Sequence, residues 1–323
     1  MARIIPILAG LAGAGMLLTQ SVSAQQLGMA TSNPGSLYNS IGTAIAKSAN
    51  EHGLSITIQP STSPNQYLPA VGHGQIEFGI GNLEEFNYAL EGKAWFKGSV
   101  NPDLRVVALL YPLKEAIFVR KDSDIKSIAD LKGKRMTAGF TAQQTILPQL
   151  DALYATAGMT SNDVVKVQVP SVIGGANAFA AGQTDGFLFA HGAAKVREAD
   201  ASVNGIRALP IPNTPENLAA IKKHWKSGFL VEMKPGPTNP GVLAPGYFIA
   251  YPQILFTNKN VPDAVVEKMA RIVYENQAAM GQVFAPMKSF DPKKDMVGET
   301  APGQYHPGAI KFYKEVGLWK KSN

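Results

Sequence analysis

Short apolar, β-branched runs alternate along this chain with stretches of helical period. That alternation is the pattern of α/β units with largely parallel sheets. Helical spacing covers Ile41 to Glu51, and Ser55-Ile56-Thr57-Ile58 reads as the strand that follows. A helix from about Asn65 to His73 precedes a strand at Glu77 to Gly81, and Leu104 to Leu110 and Glu115 to Arg120 read as two more strands. Between those two, Tyr111-Pro112 interrupts the pattern, because proline removes a ladder donor and restrains its predecessor. That break predicts a first passage between two units.

Beyond it, Ser127 can cap a short helix over Ser127 to Leu131, and Arg135 to Gly139 reads as a strand. The next helix spans about Gln143 to Ala157 and stops at Gly158. Thr160 and Asp163 have the spacing of a capping box, Val164 to Val169 is a strand, and Ser171 opens a helix. Gly186 to Ala190 is a short apolar strand. Pro235 to Pro252 is dense in proline and glycine around Tyr247 to Tyr251 and predicts the return passage. Ile254 to Thr257 and a helix over Pro262 to Gln277 follow. The expected organisation is a discontinuous first lobe, 25–112 with 250–323, and an inserted second lobe, 113–249.

The N-terminus predicts export. Arg3 precedes an apolar run from Ile4 to Leu18, and Val22-Ser23-Ala24 places small residues for cleavage after Ala24. The run is shorter than the roughly 20 apolar residues of a spanning helix. No later run is longer, so a soluble periplasmic protein is expected, one that does not itself span the membrane. Loss of Arg3 lowers the net charge from +6 to +5. Acidic and basic residues interleave, which argues against a nucleic-acid partner. With no cysteine in 323 residues, thiol catalysis and thiolate metal sites are excluded. The fold must therefore rest on an apolar core, and a chain this long suits two domains.

In open α/β sheets, ligands bind beyond the carboxyl ends of the strands. Three loops there are candidates, and each can instead be an ordinary helix cap. In Asn33 to Tyr38, Gly35 allows close approach, Ser36 offers a hydroxyl and Tyr38 a ring with a polar tip. In Ser61 to Tyr67, Ser63, Asn65 and Tyr67 are the candidates. In Phe140 to Thr145, Phe140, Thr141, Gln143, Gln144 and Thr145 lead into a helix whose free N–H groups favour an anion. His191 ends a strand and can serve a binding loop, the core or, least readily, catalysis; no Gly-x-Ser-x-Gly elbow accompanies it. His52, His73, His224 and His306 lack metal-ligand spacing, so no metal or cofactor is expected. Asp185 suits a local pair, and Tyr247 and Tyr251 suit packing near the passage.

The chain resembles the TAXI group of solute-binding subunits of tripartite ATP-independent periplasmic (TRAP) transporters over nearly its whole mature length. Asp103 to Pro112 looks like that group's first crossing strand, and Asp124 to Arg135 matches a phrase widespread in type II periplasmic binding proteins. The tail His306-Pro307-Gly308-Ala309-Ile310-Lys311-Phe312-Tyr313-Lys314-Glu315-Val316-Gly317 is more specific to TAXI proteins. The resemblance implies a two-lobed Venus-flytrap fold, α/β with two crossing segments. It also implies delivery of organic acids or amino acids to a TRAP-type membrane permease. With no catalytic constellation in the sequence, a monomer that binds a small carboxylate without chemistry is expected. Departures fall in the expected cleft. A Gly-Gly-Thr-Tyr-Tyr run of the group meets Gly35 to Asn39, where Gly35 and Tyr38 carry over, and an Asn-Gly-Ser segment meets Thr62-Ser63-Pro64. The group's next asparagine falls near Tyr67, and a Pro-Gly-Ser-Gly-Thr loop retains only Thr145. A Gly-Gly becomes His191-Gly192, and Asn82 stands where glutamine is frequent. These larger, partly aromatic groups predict a ligand with a less polar body than glutamate. Two rival roles are a subunit feeding a sensor kinase and an enzyme using His191.

Overall fold

The computed structural model describes residues 26–298 and 304–319. The expected signal peptide lies outside the described residues. Two sheets organise the chain. The first has strand order β2-β1-β3-β12-β4, formed by β1 (Gln26–Ser32), β2 (Ser55–Ser61), β3 (Phe78–Asn82), β4 (Leu104–Leu109) and β12 (Gln253–Asn258). The second runs β10-β11-β5-β8-β6-β7, with β9 paired to β5. Its strands are β5 (Leu113–Arg120), β6 (Arg135–Gly139), β7 (Val165–Val169), β8 (Gly186–Ala190), β9 (Ile206–Ala208), β10 (Phe229–Met233) and β11 (Gly246–Tyr251). The chain passes between the sheets at 110–112 and again at Pro252. This is the two-lobed α/β architecture with two crossing segments. Ala250 and Tyr251 pair with Lys114 and Leu113, so they belong to the second sheet, two residues beyond the expected boundary.

Helices α1 (Leu37–Glu51), α2 (Pro64–Gly72) and α3 (Leu83–Glu91) follow the parallel strands of the first lobe. In the second lobe stand α4 (Leu147–Ala155), α5 (Val172–Ala180), α6 (Ala194–Ser202) and α7 (Pro215–His224). The first lobe closes with α8 (Asp263–Glu275), α9 (Gln277–Val283), α10 (Pro292–Asp295) and α11 (Pro307–Glu315). The period of α1 and α8 turns one apolar stripe inward, burying Ile41, Ile45 and Ala49 in one and Val266, Met269 and Val273 in the other. The TAXI-like tail is used structurally: Tyr313 donates to the carbonyl of Val107 at 2.6 Å from a fully buried position.

Several elements differ from the sequence pattern. The helix expected over Gln143 to Ala157 begins as a single 3-10 turn, Gln144–Ile146, and turns α-helical only at Leu147. Ser127 caps no α-helix; Asp130 gathers the Ser127 N–H and hydroxyl around a short 3-10 turn. Likewise Asp163 accepts from the Thr160 N–H at 2.9 Å and closes a turn rather than a capping box. Asp185 makes the local pair expected of it, with Arg135 at 2.6 Å.

Candidate functional site

The parallel strands of both lobes point their carboxyl ends at one gap, so their following loops meet across it. From the first lobe, β1 delivers Ser32, Asn33 and Ser36, β2 delivers Thr62 and Pro64, and β3 delivers Asn82. From the second, the loop after β6 delivers Gln143 and Ile146, the turn after β7 delivers Val172 and Ile173, and β8 ends at Phe189 and Ala190. The floor is made by residues beside the two passages, Leu113, Glu115 and Tyr251. About 540 Å³ of space lies among these residues, counting the part open to solvent.

Local sequence explains why these groups are held still. Ser36 caps α1, its hydroxyl accepting from the Asn39 N–H at 3.2 Å. Asn82 caps α3 by accepting from the Glu85 N–H at 2.8 Å, and its amide donates to the Tyr38 hydroxyl at 3.2 Å. Gln143 accepts from the Val172 N–H at 3.0 Å, tying one second-lobe loop to the start of α5. Three helix starts thus face the gap with their dipoles' positive ends.

Two carboxyl groups dominate its electrostatics. Glu85, on α3, is 2% exposed, and Glu115, on β5, is 3% exposed. Burial pushes Glu85 up to about 7; the neighbouring Glu84 adds to this, and the Thr145 and Asn82 side chains oppose it. Burial pushes Glu115 up to about 8, the charge of Glu85 adds to it, and a hydrogen bond with the Tyr251 hydroxyl opposes it. Gln149 completes the surroundings of Glu115, its amide donating to both carboxylate oxygens at 3.1 and 3.2 Å. Glu85 Oε2 and the Thr145 hydroxyl each lack a hydrogen bond of full geometry, although the hydroxyl stands near enough to the carboxyl to favour its ionised form. No lysine, arginine or histidine side chain lines the cleft among the described residues. A ligand carboxylate would therefore meet two acids and, on the favourable side, only the partial charges of the three helix starts, against the expectation drawn from the resemblance.

The residues expected from sequence divide accordingly. Ser36, Tyr38, Asn82 and Gln143 line the cleft. Ser63 and Asn65 bond each other beside it, outside the lining. Tyr67 points into the first-lobe core, donating to the Ile80 carbonyl at 2.6 Å. Gly35 turns at φ +91°, a backbone state that disfavours any side chain, and its carbonyl accepts from the Lys195 N–H of the other lobe at 3.1 Å. Phe140 is fully buried at φ +43°, so it is a strained core residue rather than a ligand contact. Thr141 and Gln144 are exposed outside the lining, and Thr145 touches the cleft only through its neighbour Glu85.

His191 is also placed elsewhere. Its ring is edge-on between Phe118, 4.9 Å away, and Phe248, 5.1 Å away, and borders a separate surface pocket with Lys114. Burial, with the nearby Lys114 charge, pushes it down to about 3, and neither ring nitrogen has a partner. A neutral ring held this way neither binds in the cleft nor shuttles protons near pH 7. His191→Phe should leave solute affinity within about twofold while keeping the aromatic contacts. A tenfold loss in calorimetry would return His191 to the site.

Glu85, Glu115 and Gln149 were missed by sequence reading, and Tyr251 was assigned to packing. Asn82-x-x-Glu85 has capping-box spacing, which disguises Glu85 as a helix start. Glu115 did leave a signal: strand alternation puts it on the face of Leu113 and Ile117, both buried.

Two α/β lobes joined by two passages, with strand ends facing a shared cleft, define a type II periplasmic binding-protein fold. A protein described as a periplasmic transporter superposes with a TM-score of 0.57 at 12% identity, over 92% of this chain and 94% of its own. PhnD1 from Prochlorococcus marinus, solved with methylphosphonate, gives 0.53 at 10% identity, over 91% and 98%. The alkanesulfonate-binding protein SsuA from Xanthomonas axonopodis pv. citri, bound to MOPS, gives 0.48 at 17% identity, over 92% and 94%. The chain belongs to the NMT1-like family, whose profile matches residues 29–317.

Proposed function

We propose that this chain is a periplasmic solute-binding protein that closes its two lobes on a small organic molecule and hands it to a TRAP-type permease. The observation that carries the reading is the cleft itself, lined by loop ends from both lobes and holding buried polar atoms without partners. Such atoms are unfavourable when left bare and become favourable when a ligand satisfies them. The lining holds no nucleophile–base pair, and its groups are fixed in caps, which suits binding rather than bond-making. Among the described residues no helix is long and apolar enough to cross a membrane, so a separate membrane partner fits. The TAXI-like tail supports a TRAP permease as that partner.

Closure follows from linkage: a ligand touching both lobes favours the state in which both are near. Thermal-shift screening against a broad metabolite library, followed by small-angle scattering with each hit, tests this. At least one metabolite should raise the unfolding midpoint and compact the particle. A library without one stabilising compound would end the reading.

A further inference from the structure

Glu85 and Glu115 reach the same cleft from opposite lobes, one on a first-lobe helix and one on the first strand of the second lobe. Both are buried, both line the space, and no basic side chain lines it with them. At 2% exposure Glu85 keeps one carboxylate oxygen without a hydrogen bond of full geometry, the Thr145 hydroxyl being the neighbour that favours its ionised form. A buried carboxyl pair left without a counter-ion is unfavourable once ionised, and it favours whatever supplies positive charge between them.

Resting on the solute-binding reading above, we propose that the ligand carries a protonated nitrogen, an ammonium or amidinium group, which is held between Glu85 and Glu115 and thereby draws the two lobes together. Without it, ionised carboxylates on opposite walls repel and oppose closure; with it, each contributes a charge-assisted hydrogen bond across the gap. The rest of the lining fits the body of such a molecule. Tyr38 and Tyr251 set rings and hydroxyls beside the acids, and Leu37, Ile146, Val172 and Phe189 supply apolar surface. The ligand class is thus a monocation with a compact, partly apolar body.

Proton linkage gives a second signature. Near Glu85 the other titratable groups are Glu84 on the same helix, Tyr38 on α1, Tyr67 on α2, Tyr251 on β11 and Glu115 on β5. Near Glu115 they are Tyr251, Tyr38 and Glu85. The tyrosines are held well above their usual range by burial, so the acids are the groups that exchange protons between pH 6 and 8.5. A cation binds their ionised form and so expels protons; its affinity rises with pH over that window.

The experiment uses the full mature chain and compares monocations bearing a protonated nitrogen, including benzamidine, phenethylamine and butylamine, with benzoate, phenylacetate, glutarate and 2-oxoglutarate. Thermal shift and calorimetry at pH 8 rank them, and calorimetry in buffers of different ionisation enthalpy counts protons. Cations are expected as the strongest hits, binding at least tenfold tighter at pH 8 than at pH 6 with proton release. E85Q and E115Q, checked by circular dichroism for retained fold, should each weaken them tenfold or more and flatten the pH dependence. Hits confined to anions without a protonated nitrogen overturn the cation proposal and leave solute binding intact, as do cation affinities unchanged in both variants. Stabilisation by no compound of a wider library overturns both readings.

Discussion

Glu115→Gln is expected to make the empty protein more stable at pH 8.5 than the wild type, by about 2 kcal/mol, while it weakens ligand capture. In the unfolded chain this glutamate ionises near its ordinary value of 4.5, whereas burial in the folded protein pushes it up to about 8. Folding therefore retains a proton that the unfolded chain releases, and stability falls as pH rises from about 4.5 through 8. Glu85, pushed up to about 7, acts in the same direction over a slightly lower window. Every tenfold change in proton affinity between the folded and unfolded chain corresponds to about 1.4 kcal/mol, and coupling within the pair leaves the single-site gain at about 2 kcal/mol. For a protein of this size that moves the melting midpoint by roughly 5 °C. The advantage should shrink toward pH 5, where the wild-type carboxyl is protonated in the fold. His191 opposes this trend lower down: folded, it stays neutral to about 3, so the unfolded chain binds its proton first and stability falls as pH drops below 6.5. Melting curves of wild type and variant from pH 5 to 8.5 check the sign. A variant less stable than wild type at pH 8.5 would mean that the hydrogen bonds of Glu115 with Tyr251 and Gln149 outweigh the cost of burying its charge. A stabilised but weakened variant would be the ordinary trade between binding and stability.

Glu84→Ala should open the molecule. Glu84 lies one residue before the cleft acid on α3, but its carboxylate faces the rim. It accepts the N–H of Ser227 at 2.6 Å and that of Lys226 at 3.3 Å, both from the turn between α7 and β10 in the other lobe. Tyr88 on the same helix donates to it at 2.7 Å and holds it in place. With the Lys195–Gly35 bond, this pair of contacts clasps the lobes at the rim. Hydrogen bonds to a charged acceptor contribute about 1.5–3 kcal/mol each in a dry setting and less when the open state rehydrates them. A net loss of about 1.4 kcal/mol lowers the closed-to-open ratio tenfold, and apparent affinity falls by up to the same factor. Scattering should give a larger radius of gyration for the unliganded variant, and calorimetry a dissociation constant up to tenfold weaker with melting nearly unchanged. A variant that keeps both the wild-type radius and the wild-type affinity would show that Glu84 holds nothing shut.

The pattern along the chain and the tertiary contacts divide this protein between them unevenly. Local periodicity and turn chemistry placed β8, the Ser171 cap, the Pro112 passage and the loops beginning at Asn33 and Ser61. Each of these depends on neighbours a few residues away. β1 went unread because Gln26–Ser32 mixes polar and small residues, and its burial comes from lying between β2 and β3. The break before Leu147 was unreadable for a similar reason: Gln143 is drawn off to cap another helix.

The cleft's loops were visible in sequence, but its chemistry was not. Glu85 reads as part of a helix start and Glu115 as the edge of a strand; each alone is an ordinary surface acid. Only the two passages, at 110–112 and Pro252, set the lobes face to face so that the two acids share one cleft. Sequence by itself determined the alternating α/β elements, because local backbone preferences and apolar period suffice for them. The tertiary structure alone decided the character of the site, because desolvation and charge proximity depend on which groups meet across the gap.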